Sequence, residues 1–140
     1  DICTDPVLPP LKAGLAWHLP RALDAVELQR ALDIFIGRHD FHAFAAYRGN
    51  EQADMDWYRT IHRADLEALT DGYRITFVGD GFLYKMVRLL TGAAVQAAQG
   101  RMRMDDLAAL LDQPPNLPLG KSPNCAPADG LYLQEVLYAE

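Results

Sequence analysis

The sequence predicts an α+β fold: a mostly antiparallel sheet with helices packed on one face. Three observations carry this. The stretches "WYRTIHRADLEAL" (57–69) and "YRITFVGD" (73–80) are rich in β-branched and aromatic residues and are joined by the turn signal "TDG". Two other stretches, 23–37 and 82–99, place apolar residues at helical spacing. Strands and helices follow one another as strand, helix, strand, strand, helix, helix, strand, without the strict alternation that builds a parallel sheet.

Each element has its own justification. "DPVLPPLKAG" (5–14) is rich in proline and reads as irregular, because proline cannot donate to a sheet ladder. "GLAWHLP" (14–20) reads as a short strand. In "LDAVELQRALDIFIG" Asp24 is placed to cap a helix, with Glu27 three residues on in the capping-box pattern. Leu28, Leu32, Phe35 and Ile36 form its apolar stripe, and Gly37 stops it. "RHDFHAFAAYRGNEQADMD" (38–56) reads as a loop studded with aromatics. The paired strands follow, the first from about Trp57 and the second over 73–78. A helix is expected over 82–99, closed by Gly100. "MDDLAALLDQPP" (104–115) is a short helix with acids at its positive end and prolines after it. A proline-rich loop leads to a last strand, "LYLQEVLY" (131–138).

The 140 residues, half of them hydrophobic, suffice for one domain with a core, so residues 1–140 read as a single domain. No charged start followed by an apolar run suggests a signal peptide, and no run is long enough to span a membrane. The first methionine is Met55, from which a piece of a longer protein is expected. Two cysteines, Cys3 and Cys125, make neither a disulfide framework nor a zinc site, and a cytosolic setting is the simplest expectation.

The formal charge of −6 argues against a nucleic-acid surface, but the charge is uneven. Residues 81–104 contain no acid, while Lys85, Arg88, Arg101 and Arg103 fall there. On a helical wheel Leu83, Met86, Val87, Leu90, Ala94 and Ala97 form the core face. Lys85, Arg88, Gly92, Gln96 and Gln99 lie opposite, and Gly92 would leave that side bare. Arg88 has no acid one turn away. From periodicity alone the strip is either a solvated face or the wall of a groove for an anionic partner.

Other residues invite chemistry less specifically. His39, Asp40 and His42 suggest a metal or acid–base site, but no second cluster has ligand spacing. The blander reading, a loop in which Asp40 binds backbone amides and Phe41 and Phe44 are core, is favoured. Arg59, His62 and Arg63 either contact phosphate or are solvated side chains of a half-exposed strand. No glycine-rich phosphate loop is present.

Four stretches together resemble one family. "GRHDFHAF", "RTI" (59–61), "GDGFLYKMVRLLTGAAVQAAQGR" and "CAPADGLYLQEVLY" are similar, in this order, to the C-terminal half of the tRNA pseudouridine synthase A family. The similarity runs from about residue 7 to the end. It departs from the pattern in "DQPPNLPLGKSPNCAP", where Cys125 takes the place of a threonine. The resemblance implies a pseudouridine synthase-like half domain that isomerises uridine in the anticodon arm of tRNA. The implied partners are tRNA and a second copy in a homodimer, with no metal, no cofactor and no membrane. The family's aspartate nucleophile belongs to an Arg-Thr-Asp motif of the N-terminal half, which is absent here; "RAD" (63–65) does not match it. Arg88 matches the arginine that holds this aspartate. Phe82 and Met86 match apolar positions that wall the site, although Met86 falls on the core face of the wheel. Lys85, with the rest of the basic run, would face the RNA. The rival is a non-catalytic RNA-binding or dimerisation module of the same fold.

Overall fold

The computed structural model of the chain describes residues 1–4, 16–20, 22–46, 55–112, 125–128 and 131. They form a five-stranded sheet and three α-helices, an α+β arrangement as expected. The strands are β1 (Ile2–Cys3), β2 (Trp17–His18), β3 (Gly37–Asp40), β4 (Tyr58–Leu69) and β5 (Gly72–Gly79). The helices are α1 (Ala25–Ile34), α2 (Met86–Ala98) and α3 (Met104–Ala109). The spatial order is β2-β1-β5-β4-β3, antiparallel except for β1 beside β2.

The β4–β5 hairpin is the spine. Tyr73, Ile75 and Phe77 pack against the core while Arg74 and Thr76 are exposed, the alternation of a half-buried strand. In β4 Ile61 and Ala64 both face inward although three residues apart. A bulge between Ile61 and Arg63 inserts the extra residue that makes this possible. At the far end of the hairpin β1 crosses closely over Gly72. A Cβ there would lie 1.9 Å from the Ile2 carbonyl oxygen, so only glycine fits.

Helix α1 starts as its cap predicts. The Asp24 carboxylate accepts from the amides of Val26 (2.9 Å) and Glu27 (3.1 Å). Glu27 does not reach back to complete the box; it pairs with Arg30. Leu28, Ala31, Leu32 and Phe35 are fully buried, whereas Ile36 is exposed. Helix α1 packs on α2 and on β4, where Gln29 donates to the Ala64 carbonyl. Helix α2 ends at Gly100 (φ +75°), with Arg101 N–H on the Gln96 carbonyl and Gly100 N–H on that of Ala97. That is a Schellman motif.

Three expectations need correction. Residues 37–40 are not loop but strand β3, paired along its length with β4 (Gly37 to Ile61, Asp40 to Tyr58). "GRHD" has little β propensity of its own; the long neighbouring strand imposes the conformation. A 3-10 turn (His42–Phe44) follows and buries Phe44 edge-on against Phe35. Helix α2 begins at Met86 rather than residue 82. Lys85 is left-handed (φ 59°), the Tyr84 carbonyl accepts from Ala46, and the Leu83 amide rests on the Met86 sulfur. The tertiary bond from Ala46 and these local features hold 81–85 as a loop against its helical periodicity. Finally, Gly92 is buried, so it leaves no bare face. The irregular segment 5–14, the proline-rich stretch 113–124 and, beyond Leu131, the last expected strand lie outside the described residues.

Candidate functional site

One end of the sheet gathers the first three stretches singled out above and the described start of the fourth, 125–128. The start of β4 lies beside the end of β5 (Ile61 opposite Gly79) and beside the end of β3 (Asp40 opposite Tyr58). Asp80 fastens the exit of β5 to β4. Its carboxylate accepts from Thr60 N–H at 2.9 Å and its own N–H donates to the Thr60 carbonyl at 3.1 Å. The loop 81–85 leaves from there and delivers the chain into the first turn of α2, where Arg88 is the third residue.

Arg88 is half-buried and fixed by a reciprocal bond. Its Nε donates to the Ala126 carbonyl at 2.8 Å, and Ala126 N–H donates to the Arg88 carbonyl at 3.0 Å. Ala126 is itself buried, so the "CAP" segment is clamped to the helix. No carboxylate among the described residues lies within ion-pair distance of Arg88, and its two outer nitrogens have no partner among them. The inner nitrogen sets the plane of the guanidinium and leaves the outer fork open for a bidentate acceptor.

The other expected site residues divide. Phe82 (40% exposed) and Tyr84 (39%) are large apolar surfaces open to solvent on the loop before Arg88. Lys85 is exposed beside them, its Nζ 5.5 Å from the centre of the Tyr84 ring. Met86 is 0% exposed; it supports the loop from beneath, as the Leu83 N–H to sulfur contact shows. It lies on the core face, as the wheel places it. The basic run is not one patch. Arg101 and Arg103 follow the C-terminal end of α2, some 20 Å from its start at 1.5 Å per residue. Arg101 lines a shallow depression with Ala22, Asp24 and Gln99, and Arg103 pairs with Asp105 at 3.7 Å.

The histidine cluster is structural. His39 Nδ1 is 2.6 Å from Asp112 Oδ2 and its Nε2 is 3.0 Å from the Ile36 carbonyl. Asp112 Oδ1 also accepts from Asp40 N–H (2.6 Å), and Asp40 accepts from His42 N–H (2.9 Å). These bonds tie β3 to the chain after α3, and Phe41 and Phe44 are fully buried, as the blander reading expects. Among the described residues no three His, Cys, Asp or Glu side chains come together as metal ligands. No helix there is long and apolar enough to cross a membrane.

Two contributors escaped sequence reasoning. Ala126 acts through its main chain, so its residue type carries no signal beyond its place in the "CAP" string. Asp112 is an isolated acid whose partners are more than 70 positions away. Cys125 is exposed, with its thiol 3.6 Å from the carbonyl that also receives Arg88.

A family model described as tRNA pseudouridine synthase matches residues 31–139. The chain belongs to the tRNA pseudouridine synthase family. It is 49% identical to the tRNA pseudouridine synthase A of Akkermansia muciniphila over 138 residues, which is 96% of this chain and 51% of that protein. It is 32% identical to the tRNA pseudouridine synthase A of Staphylococcus aureus strain Newman over 133 residues, 94% of this chain and 47% of that protein. The chain thus spans about half the length of the curated relatives it matches. Family membership agrees with the motif order, and the described start of the last motif stretch is the one bonded to Arg88.

Proposed function

We propose that this chain is the C-terminal half of a tRNA pseudouridine synthase acting on uridines of the anticodon arm, and that its Arg88 supports a catalytic carboxylate supplied by an N-terminal half. The observation that carries the reading is the open guanidinium fork, clamped by Ala126 and without a carboxylate among the described residues. The reaction breaks the C1′–N1 bond of uridine, turns the base and joins C1′ to C5. A carboxylate must remain ionised beside the sugar in a site that excludes water. A guanidinium stays charged at any working pH and offers two parallel N–H donors, so it holds such a carboxylate ionised and aimed. The isomerisation has no net redox change and needs no cofactor to balance it.

Phe82 and Tyr84 supply apolar ring surface at the mouth of this site, and Lys85 supplies charge for the RNA backbone. The whole enzyme works in the cytoplasm as a homodimer that shares a tRNA; the family resemblance supports this part.

Tritium release from tRNA carrying 5-tritiated uridine tests the reading. The full-length enzyme releases tritium and the isolated 140-residue chain does not. Turnover by the isolated chain overturns the division of labour. A full-length protein that binds tRNA without release favours the non-catalytic module instead.

A further inference from the structure

The described arginines fall into classes by what holds them. Arg30, Arg63, Arg74 and Arg103 each hold a carboxylate, on Glu27, Asp65, Asp1 and Asp105. Arg38 lies over the Tyr58 ring at 4.9 Å, and Arg101 is exposed. Arg59 and Arg88 are fixed by main-chain carbonyls instead. Arg59 Nη1 donates to the carbonyls of Asp56 (2.9 Å) and Tyr58 (2.6 Å). No carboxylate among the described residues lies within ion-pair distance of it. The Asp56 carboxylate accepts from Tyr58 N–H and that of Asp80 from Thr60 N–H. Its Nε and Nη2 have no partner among the described residues.

The position of this cation is informative. Arg59 precedes Ile61 by two, and Ile61 points into the core on the helix side. Arg59 therefore projects to the side of the sheet that carries α2 and Arg88. Its side chain lies against Gly81, where a Cβ would stand 3.6 Å from Arg59 Nε, at the start of the loop that leads to Arg88. A half-buried, oriented guanidinium with no ion-pair partner among the described residues is suited to receive an anion. At this end of the molecule the expected ligand is an RNA strand, which brings one phosphate with every nucleotide.

We propose that Arg59 binds a backbone phosphodiester of the RNA whose target uridine is presented to Arg88. This rests on the synthase reading above. One guanidinium then handles the reacting nucleotide through the carboxylate, and the other sets where the strand sits. The planar fork of arginine matches two phosphate oxygens. Tying Nη1 to two carbonyls removes much of the side-chain freedom that binding would otherwise cost.

The test compares Arg59→Gln and Arg59→Lys in the full-length enzyme. Gln keeps an N–H donor for the carbonyls without the charge; Lys keeps the charge. For Arg59→Gln, tRNA Kd and KM should rise roughly ten-fold, since a charge-assisted bond is worth about one decade or more. The slope of log Kd against log salt should fall by about one phosphate's worth. The single-turnover rate at saturating tRNA should stay near that of the wild type. Arg59→Lys should keep the wild-type slope. Equal slopes in the two variants, or a loss confined to thermal stability, overturn the proposal. Should Arg59→Gln not fold, neutral methylphosphonate links scanned through the substrate strand give the same information with the wild-type protein. One link flanking the target should weaken wild-type binding more than that of Arg59→Lys, whose point charge meets the phosphate without the paired donors; no sensitive link, or a link that weakens both equally, overturns the proposal. A wild type that neither binds tRNA nor releases tritium fails the synthase reading itself, a distinguishable result.

Discussion

The two ends of α2 carry like charge in different company. Beyond its C-terminal end Arg103 meets Asp105 on the surface, and at that same far end of the hairpin Arg74 grips Asp1 with two bonds of 2.9 and 3.1 Å. At its N-terminal end Arg88 is held by Ala126, and across the loop Arg59 is held by Asp56 and Tyr58, all through main-chain carbonyls. A carbonyl orients a guanidinium without cancelling its charge, whereas a carboxylate does both. The far end pairs Arg74 and Arg103 with carboxylates and leaves Arg101 in solvent, and the near end holds two cations aimed by carbonyls without a carboxylate partner among the described residues. A run of basic residues in the sequence does not make this distinction; the partners do.

If the comparison holds, damage at the near end should appear in rate and damage at the far end in stability. The largest effect is expected from Arg88→Ala in the full-length enzyme. Removing one member of a partly buried pair costs about 3–5 kcal/mol. Falling on the transition state, that lowers turnover by roughly a hundred-fold or more, measured by tritium release. Gly72→Ala probes the opposite end. Its Cβ would meet the Ile2 carbonyl, so β1 must shift, at about 1–3 kcal/mol of stability. Denaturant unfolding should show this, with the single-turnover rate unchanged.

Asp112→Ala is intermediate in place and size. It leaves Asp40 N–H and His39 without their acceptor and puts alanine at φ +54°. A loss of about 1–2 kcal/mol in thermal unfolding is expected, reduced from the buried-group value because Asp112 is half exposed. The smallest effect belongs to Arg103→Ala. Its ion pair is exposed on both sides, so stability should move by less than about 0.5 kcal/mol and turnover hardly at all. A large rate effect there would merge the two ends again and undo the comparison.

How far the sequence made this visible follows the range of the interactions. The β4–β5 hairpin was legible because alternation and the "TDG" turn are local. The Asp24 cap and the body of α2 were legible for the same reason. Strand β3 was not, because Gly, Arg, His and Asp become a strand only through pairing with β4. The helix periodicity continues back to residue 82, but the bond from Ala46 to the Tyr84 carbonyl and the left-handed Lys85 override it. Gly92 was read as bare because a wheel does not show what else in the chain covers it. At the site, Arg88 stood out by its lack of acidic neighbours and by resemblance. Its clamp on Ala126 left no trace, because any residue other than proline offers the same N–H and C=O.

The central claim is that the open fork of Arg88, and not its charge alone, is what the reaction uses. Arg88→Lys tests it most directly, in single turnovers of the full-length enzyme at saturating tRNA, with Kd measured beside the rate and Lys85→Ala as the reference for a cation that serves binding. Lysine keeps the charge and loses the two parallel donors. The account predicts a rate at least about ten-fold below wild type with Kd little changed, while Lys85→Ala weakens binding and spares the rate. A rate near wild type for Arg88→Lys, or the same mild binding defect in both variants, would contradict it.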